Sequence, residues 1–187
     1  QLDSLKNHLD PHFLFNNLNI LASLIESDKT TSRNFIQKFA EVYRSLLRTK
    51  SDDLIPLSEE LDFVDAYMYL IRVRFEDHIQ LITTLQNHPK SKMLPPLTLQ
   101  MLLENAIKHN LITETRPLQI EIVEKEGNYL LVRNSLYIKA DHGSTDQGTG
   151  LENIKKRYAH FTDQPIHVVK TETHFEVTIP LLEIDSV

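Results

Sequence analysis

The chain has 187 residues, a formal net charge of −6 and 41% hydrophobic residues, enough for one domain or for a small domain with a helical accessory part. The acidic balance supplies no basic footprint for nucleic acid. The absence of cysteine excludes disulfides and thiolate-bound metals and fits a reducing compartment. No run approaches the ~18 apolar residues of a membrane-spanning helix, and no stretch reads as a signal peptide.

The chain opens at Gln1, already inside a Leu2, Leu5, Leu9 helical stripe, and reads as a piece whose first helix continues upstream. Residues 1 to about 76 read as helices. Leu14, Leu18, Leu21 and Ile25 make one apolar stripe; Phe35, Phe39, Val42, Leu46 and Leu47 make a second, starting at Thr31 or Ser32. A third helix follows PLSEELDFV, with Ser58 as N-cap and Glu59 and Glu60 at the positive helix end. Beyond residue 78 the period changes. Ile79 and Leu81 alternate as in a strand, and LPPLTLQMLLENAIKHN reads as a helix behind a proline pair. LQIEIVEKEGNYLLVRN is a hairpin turning at Glu126-Gly127-Asn128. A polar loop over 135–148, the helix GLENIKKRYAHF and a hairpin in IHVVKTETHFEVTIPL complete the chain.

Three places carry chemistry. The first is LDPHFLFNN, where the stripe before Pro11 and the stripe after it are out of phase, so the helix kinks or restarts at Asp10-Pro11. At ~100° per residue, His12, Asn16, Asn19 and Ser23 then share a polar face. That face is either merely solvated or offers a neutral imidazole as nucleophile near pH 7. The second is LLENAIKHN, which puts Asn105, Lys108 and His109 at spacings of three and four. An amide oxygen can ligate Mg²⁺ and an ammonium can meet phosphate, although a plain polar helix face reads the same way. The third is GTGLENIKKR. The chain has four glycines, and Gly148 and Gly150 flank Thr149 just before a helix, where free amides and the helix dipole favour phosphate. Alone, such a pair is often only a turn.

PHFLFNNL, ENAIKH and GTGLENIKKRY, in this order, resemble the LytS/YehU-type sensor histidine kinases of bacterial two-component systems, over Leu5 to Leu181. PHFLFN is specific to that family; the other two motifs belong to the wider ATPase group that includes gyrase and MutL. The resemblance implies an α+β chain: a helical dimerisation and phospho-acceptor region over 1–76, then a Bergerat-type α/β sandwich binding ATP over 77–187. His12 matches the phospho-acceptor. Asn105 matches the Mg²⁺-coordinating asparagine, and Lys108 and His109 match phosphate- or ribose-side positions. Gly148, Gly150, Leu151 and Asn153 match the segment that closes over the phosphates. Asp10 and Glu104 are candidates to orient or deprotonate the imidazole, Asp10 being equally explained as an N-cap.

What the resemblance implies as a whole is a homodimer that uses ATP and Mg²⁺ and passes phosphate to a response regulator, LytTR-type by the same resemblance. It would be the cytoplasmic portion of a bacterial inner-membrane protein, reaching the membrane only through upstream segments. One departure stands out. Relatives carry an aspartate that accepts the adenine amino group, and here VRNS places Asn134 at that position. A neutral acceptor forms a weaker bond. That departure motivates an alternative, a nucleotide-binding but kinase-silent module acting through dimer rearrangement. A conformational ATPase would need a water-activating carboxylate about four residues before Asn105, where Met101 stands.

Overall fold

The computed structural model describes residues 11–48, 54–85, 91–137 and 149–183. Asp10 and Gly148 lie outside these residues, as do the side chains of Pro11 and His12. Helices α1 (Pro11–Ser27) and α2 (Lys29–Arg48) pack on one another with only Asp28 between them. The Asp28 carboxylate accepts from the amides of Thr30 (2.9 Å) and Thr31 (3.0 Å) and from the Thr31 hydroxyl (2.6 Å). This corrects the expected start at Thr31 or Ser32. Asp28 satisfies the orphan amides of the first turn, so α2 begins at Lys29 and Thr31 lies inside it.

Strand β1 (Ile55–Pro56) leads into α3 (Leu57–Phe75). Ser58 is not its cap: the helix begins behind Pro56 without a side-chain cap, and Ser58 already lies in the first turn. A 3-10 turn (Glu76–His78), β2 (Ile79–Thr84) and β3 (Lys92–Leu94) follow, then α4 (Thr98–His109) and the pair β4 (Leu118–Lys125) and β5 (Tyr129–Ser135). Helix α5 (Thr149–Tyr158), β6 (His167–Lys170), β7 (His174–Pro180) and β8 (Leu182–Glu183) end the described chain.

The main sheet has the order β2-β4-β5-β7-β6, parallel between β2 and β4 and antiparallel elsewhere; β1, β3 and β8 form a second small sheet. The turn between β4 and β5 takes positive φ at Gly127 (75°) and Asn128 (59°), conformations that suit these two residue types. On β4, Leu118, Ile120 and Ile122 are buried while Gln119 and Lys125 are exposed, the alternation of a sheet with one covered face. That face meets α3, α4 and α5 in one core that includes Leu70, Ile79, Leu103, Ile120, Ile154 and Ile179. The open face carries the Arg133 ion pairs with Glu121 and Glu176. The result is an α+β, Bergerat-type sandwich with a helical pair attached. The division expected at 76/77 falls at the C-cap of α3, where Glu76 takes a φ of 51°, while α3 itself shares the sandwich core.

Helix α1 differs from its expected packing. Its inward face is Phe13, Asn17, Ile20, Leu21 and Leu24. Leu18 (43% exposed) and Ile25 (53%) of the expected stripe point out instead, next to Phe15 (64%). The helix has two apolar faces, and a single leucine stripe merged them. Phe13 stacks on Tyr67 of α3 with centroids 5.8 Å apart, and Tyr67 in turn on Phe63. On α2, Leu47 (55%) likewise points out, with Ile36 (49%).

Candidate nucleotide and phosphoryl-transfer site

The start of α4 is unusual. Its N-cap Leu97 has φ 62° and ψ 14° and contributes no side-chain cap, a left-handed conformation that costs a leucine strain. The missing cap comes from α3. The buried Glu60 carboxylate accepts from the Leu97 amide and, at 3.0 Å, from the Leu99 amide. Burial pushes the Glu60 pKa up to about 7, opposed by those two amides and by the charge of Arg157. Arg157, on α5, donates to the Pro96 carbonyl at 2.8 Å, and Thr98 closes the same turn by donating to the Pro95 carbonyl at 2.6 Å. Tyr158, next to Arg157 in sequence, is buried, and burial and the Glu60 charge push its ionisation up.

Two turns into α4 stands Asn105, half-buried. Gly150, at the start of α5, approaches it so closely that a Cβ on Gly150 would lie 2.9 Å from Asn105 Oδ1 and 3.0 Å from Nδ2. The constraint on Gly150 is therefore one of space and not of φ, which is not in the left-handed region: any Cβ there would displace the Asn105 amide. Two of the three motifs thus meet at one point. Lys108 and His109 occupy the last, exposed turn of the same helix. Glu104 accepts from Gln100 Nε2 at 2.8 Å. Leu151 packs against the core and Asn153 is exposed.

Asn134 lies on the covered face of β5, opposite Ile120 and Phe175 and 7% exposed. Its Nδ2 donates to the Ser135 carbonyl at 2.7 Å, which turns the amide oxygen into the group it can offer a ligand. Asn110 went unread in the sequence, although it ends the ENAIKHN run. Buried at 1%, it donates to the Ala106 carbonyl and accepts from the Tyr137 amide (2.5 Å), while the Leu111 amide bonds the Tyr137 carbonyl. It ties the end of α4 to the chain leaving β5. Only its buried, helix-ending position marks it. Glu60 was read only with Glu59, as charge at the start of its own helix, and Arg157 went unread, because nothing local separates Glu60 from Glu59 or Arg157 from Lys156.

His12 falls in the first turn of α1, directly before the core-anchored Phe13. Among the described residues no group of three or more His, Asp or Glu side chains is placed to hold a metal. Asn105 Oδ1 is one neutral oxygen donor of the type that Mg²⁺ accepts, so any such ion would take its remaining ligands from substrate phosphates and water.

The family model for histidine kinases matches residues 1–79. The chain is 29% identical to sensor protein LytS of Staphylococcus haemolyticus, over 95% of this chain and 32% of that one. It is 26% identical to sensor protein LytS of Enterococcus faecalis, over 100% of this chain and 35% of that one. The chain thus spans about a third of the length of these relatives. Among solved structures, the cytoplasmic segment of histidine kinase QseC aligns with a TM-score of 0.48 at 20% identity, covering 84% of this chain and 95% of that one.

Proposed function

We infer that this chain, a LytS-type histidine kinase by its relatives, is the phosphoryl-transfer portion of a two-component sensor. The observation that carries the reading is the apposition of Asn105 and Gly150. An amide that can ligate a cation meets a helix start that comes this near only because Gly150 lacks a Cβ, and the free amides of a helix start favour phosphate.

In this reading Asn105 would hold Mg²⁺, which when bound neutralises charge on the ATP phosphates. Lys108 supplies a further positive charge and the amides at Gly148 and Gly150 hydrogen-bond phosphate oxygens, so catalysis is mainly positioning and electrostatics. His109 and Asn153 lie on the ribose and phosphate side, and Leu151 seats the helix on the core. Asn134 offers its oxygen to the adenine amino group. The neutral His12 imidazole attacks the γ-phosphorus, a P–N bond forms, the bond to the β-bridging oxygen breaks, and ADP leaves. Glu104 or Asp10 takes the imidazole proton. The phosphoryl group then passes to an aspartate of a response regulator, LytTR-type by resemblance.

Dimerisation is the second part of the proposal. Phe15, Leu18 and Ile25 on α1 and Ile36 and Leu47 on α2 are exposed at helical spacing, two apolar stripes that a second copy would cover in a four-helix arrangement. Among the described residues no helix is long and apolar enough to cross a membrane. The likeness to LytS sensor proteins, and not that absence, is the ground for placing the chain on the cytoplasmic side of a membrane sensor.

The test is incubation with Mg²⁺ and γ-labelled ATP beside a His12→Ala variant. Acid-labile, alkali-stable label in the wild type alone is expected. Nucleotide binding without label in either protein would sink the kinase reading in favour of a silent module.

A further inference from the structure

The Pro95–Leu97 turn is held from two other helices. Glu60 of α3 accepts the Leu97 and Leu99 amides, and Arg157 of α5 donates to the Pro96 carbonyl. The helix that starts at this turn carries Asn105, and the helix that carries Arg157 in its last turn has Gly150 in its first. The other end of the chain of contacts is α1, since Phe13, the residue after His12, stacks on Tyr67 of α3.

We propose that Glu60 is a positioning residue for the nucleotide site. From α3 it fixes the start of α4 and so holds Asn105 against Gly150, making α3 the rigid link between the helix of the phospho-acceptor and the helix of the metal-binding amide. This rests on the nucleotide-site reading of Asn105 and Gly150.

The geometry gives three reasons. Helix α4 has no cap of its own, so nothing else among the described residues satisfies the Leu97 and Leu99 amides. The left-handed Leu97 persists only because its surroundings hold it. A carboxylate with both oxygens engaged, buried at 1% exposure, has no room to follow a displaced helix without breaking a bond. A shift of α3 therefore either carries α4 with it or uncaps it. Neighbouring Glu59 sits one residue earlier in the same turn and is exposed, which makes it the natural control.

The experiment compares wild type, Glu60→Gln and Glu59→Gln in the full chain labelled with nitrogen-15, at about pH 8, where the Glu60 carboxyl is ionised and both its oxygens accept. The Asn105 side-chain amide and the Gly150 backbone amide are followed by NMR, and Mg-ADP affinity by calorimetry. Glutamine keeps the shape but offers one acceptor oxygen to two N–H donors. Glu60→Gln is expected to move both signals and weaken Mg-ADP binding by about tenfold, whereas Glu59→Gln leaves both unchanged. A residue that only stabilised the fold would lower the melting temperature and leave the signals of the folded protein in place. Unmoved Asn105 and Gly150 signals in folded Glu60→Gln would therefore overturn the proposal. If wild type takes up no nucleotide, the nucleotide-site reading falls while the two amide signals still decide the role of Glu60. Should Glu60→Gln not fold, Arg157→Lys, which keeps the charge but shortens the reach to the Pro96 carbonyl, is read on the same two signals.

Discussion

Gly150 and Asn105 stand so close that a single methyl group added at Gly150 would lie 2.9 Å from the asparagine oxygen. That distance is shorter than carbon–oxygen contacts tolerate, but the obstacle is a side-chain amide rather than backbone. Gly150→Ala should therefore fold. Alanine gains up to ~1 kcal/mol of helix propensity over glycine, offset by displacement of the amide. Stability should change by less than about 1 kcal/mol, while Mg-nucleotide affinity falls about tenfold or more. Calorimetric titration with Mg-ADP beside a urea melt checks both. Unchanged affinity would remove Asn105 from the site.

Glu60 makes a prediction with a definite sign. Its folded pKa of about 7 lies above the ordinary value of 4.5, with burial as the main cause. The native state holds the proton more tightly than the unfolded chain. The associated stability is thus fully present below about pH 4.5 and is lost as pH rises through about 7. Asp28 and Glu41 work in the opposite direction and lower window, because hydrogen bonds from Thr31 and from Lys38 lower their pKa values; their contribution is lost as pH falls into the acid range. Urea midpoints at about pH 5 and 8 should fall in the wild type and flatten in Glu60→Gln. Equal slopes in the two proteins would contradict the buried carboxylate.

These two cases mark what could be read from sequence. The hairpin around Gly127 and Asn128 and the helix after the proline pair are local: turn chemistry and period decide them. The α2 cap was misplaced because Asp28, Thr31 and Ser32 are all good caps, and only the hydrogen bonds choose among them. On α1, the apolar residues surround more than half the helix, so spacing alone could not say which stripe faces α3. The approach of Gly150 to Asn105 joins residues 45 apart, and that of Glu60 to Leu99 residues 39 apart. Motifs could name the first pair's members, but no local pattern distinguishes Glu60 from Glu59.

The Asn134 departure can be reversed. Asn134→Asp would replace the Nδ2 that donates to the Ser135 carbonyl by an oxygen facing that carbonyl, at a position 7% exposed. The empty protein should lose roughly 1–3 kcal/mol. A carboxylate forms a stronger, charge-assisted bond to the adenine amino group, so ATP affinity should rise severalfold while GTP affinity does not. Competition titrations with the two nucleotides measure it. Equal gains for both would show that the residue does not face the base.

The exposed stripes of α1 and α2 predict how the chain associates. Leu18 and Ile36 are solvent-exposed, at 43% and 49%, and neither is part of the core. Lysine at such surface positions usually alters the stability of a monomer by no more than about 0.5 kcal/mol. In a dimer built on this face, each substitution would instead bury two symmetry-related ammonium groups, because every contact of a two-fold interface occurs twice. Leu18→Lys with Ile36→Lys should therefore convert a dimer to a monomer in sedimentation velocity while leaving the far-ultraviolet circular dichroism unchanged. Nucleotide affinity should also persist, since Asn105 and Gly150 come from the same chain and meet within it. A dimer that survives both lysines would move the interface to another face.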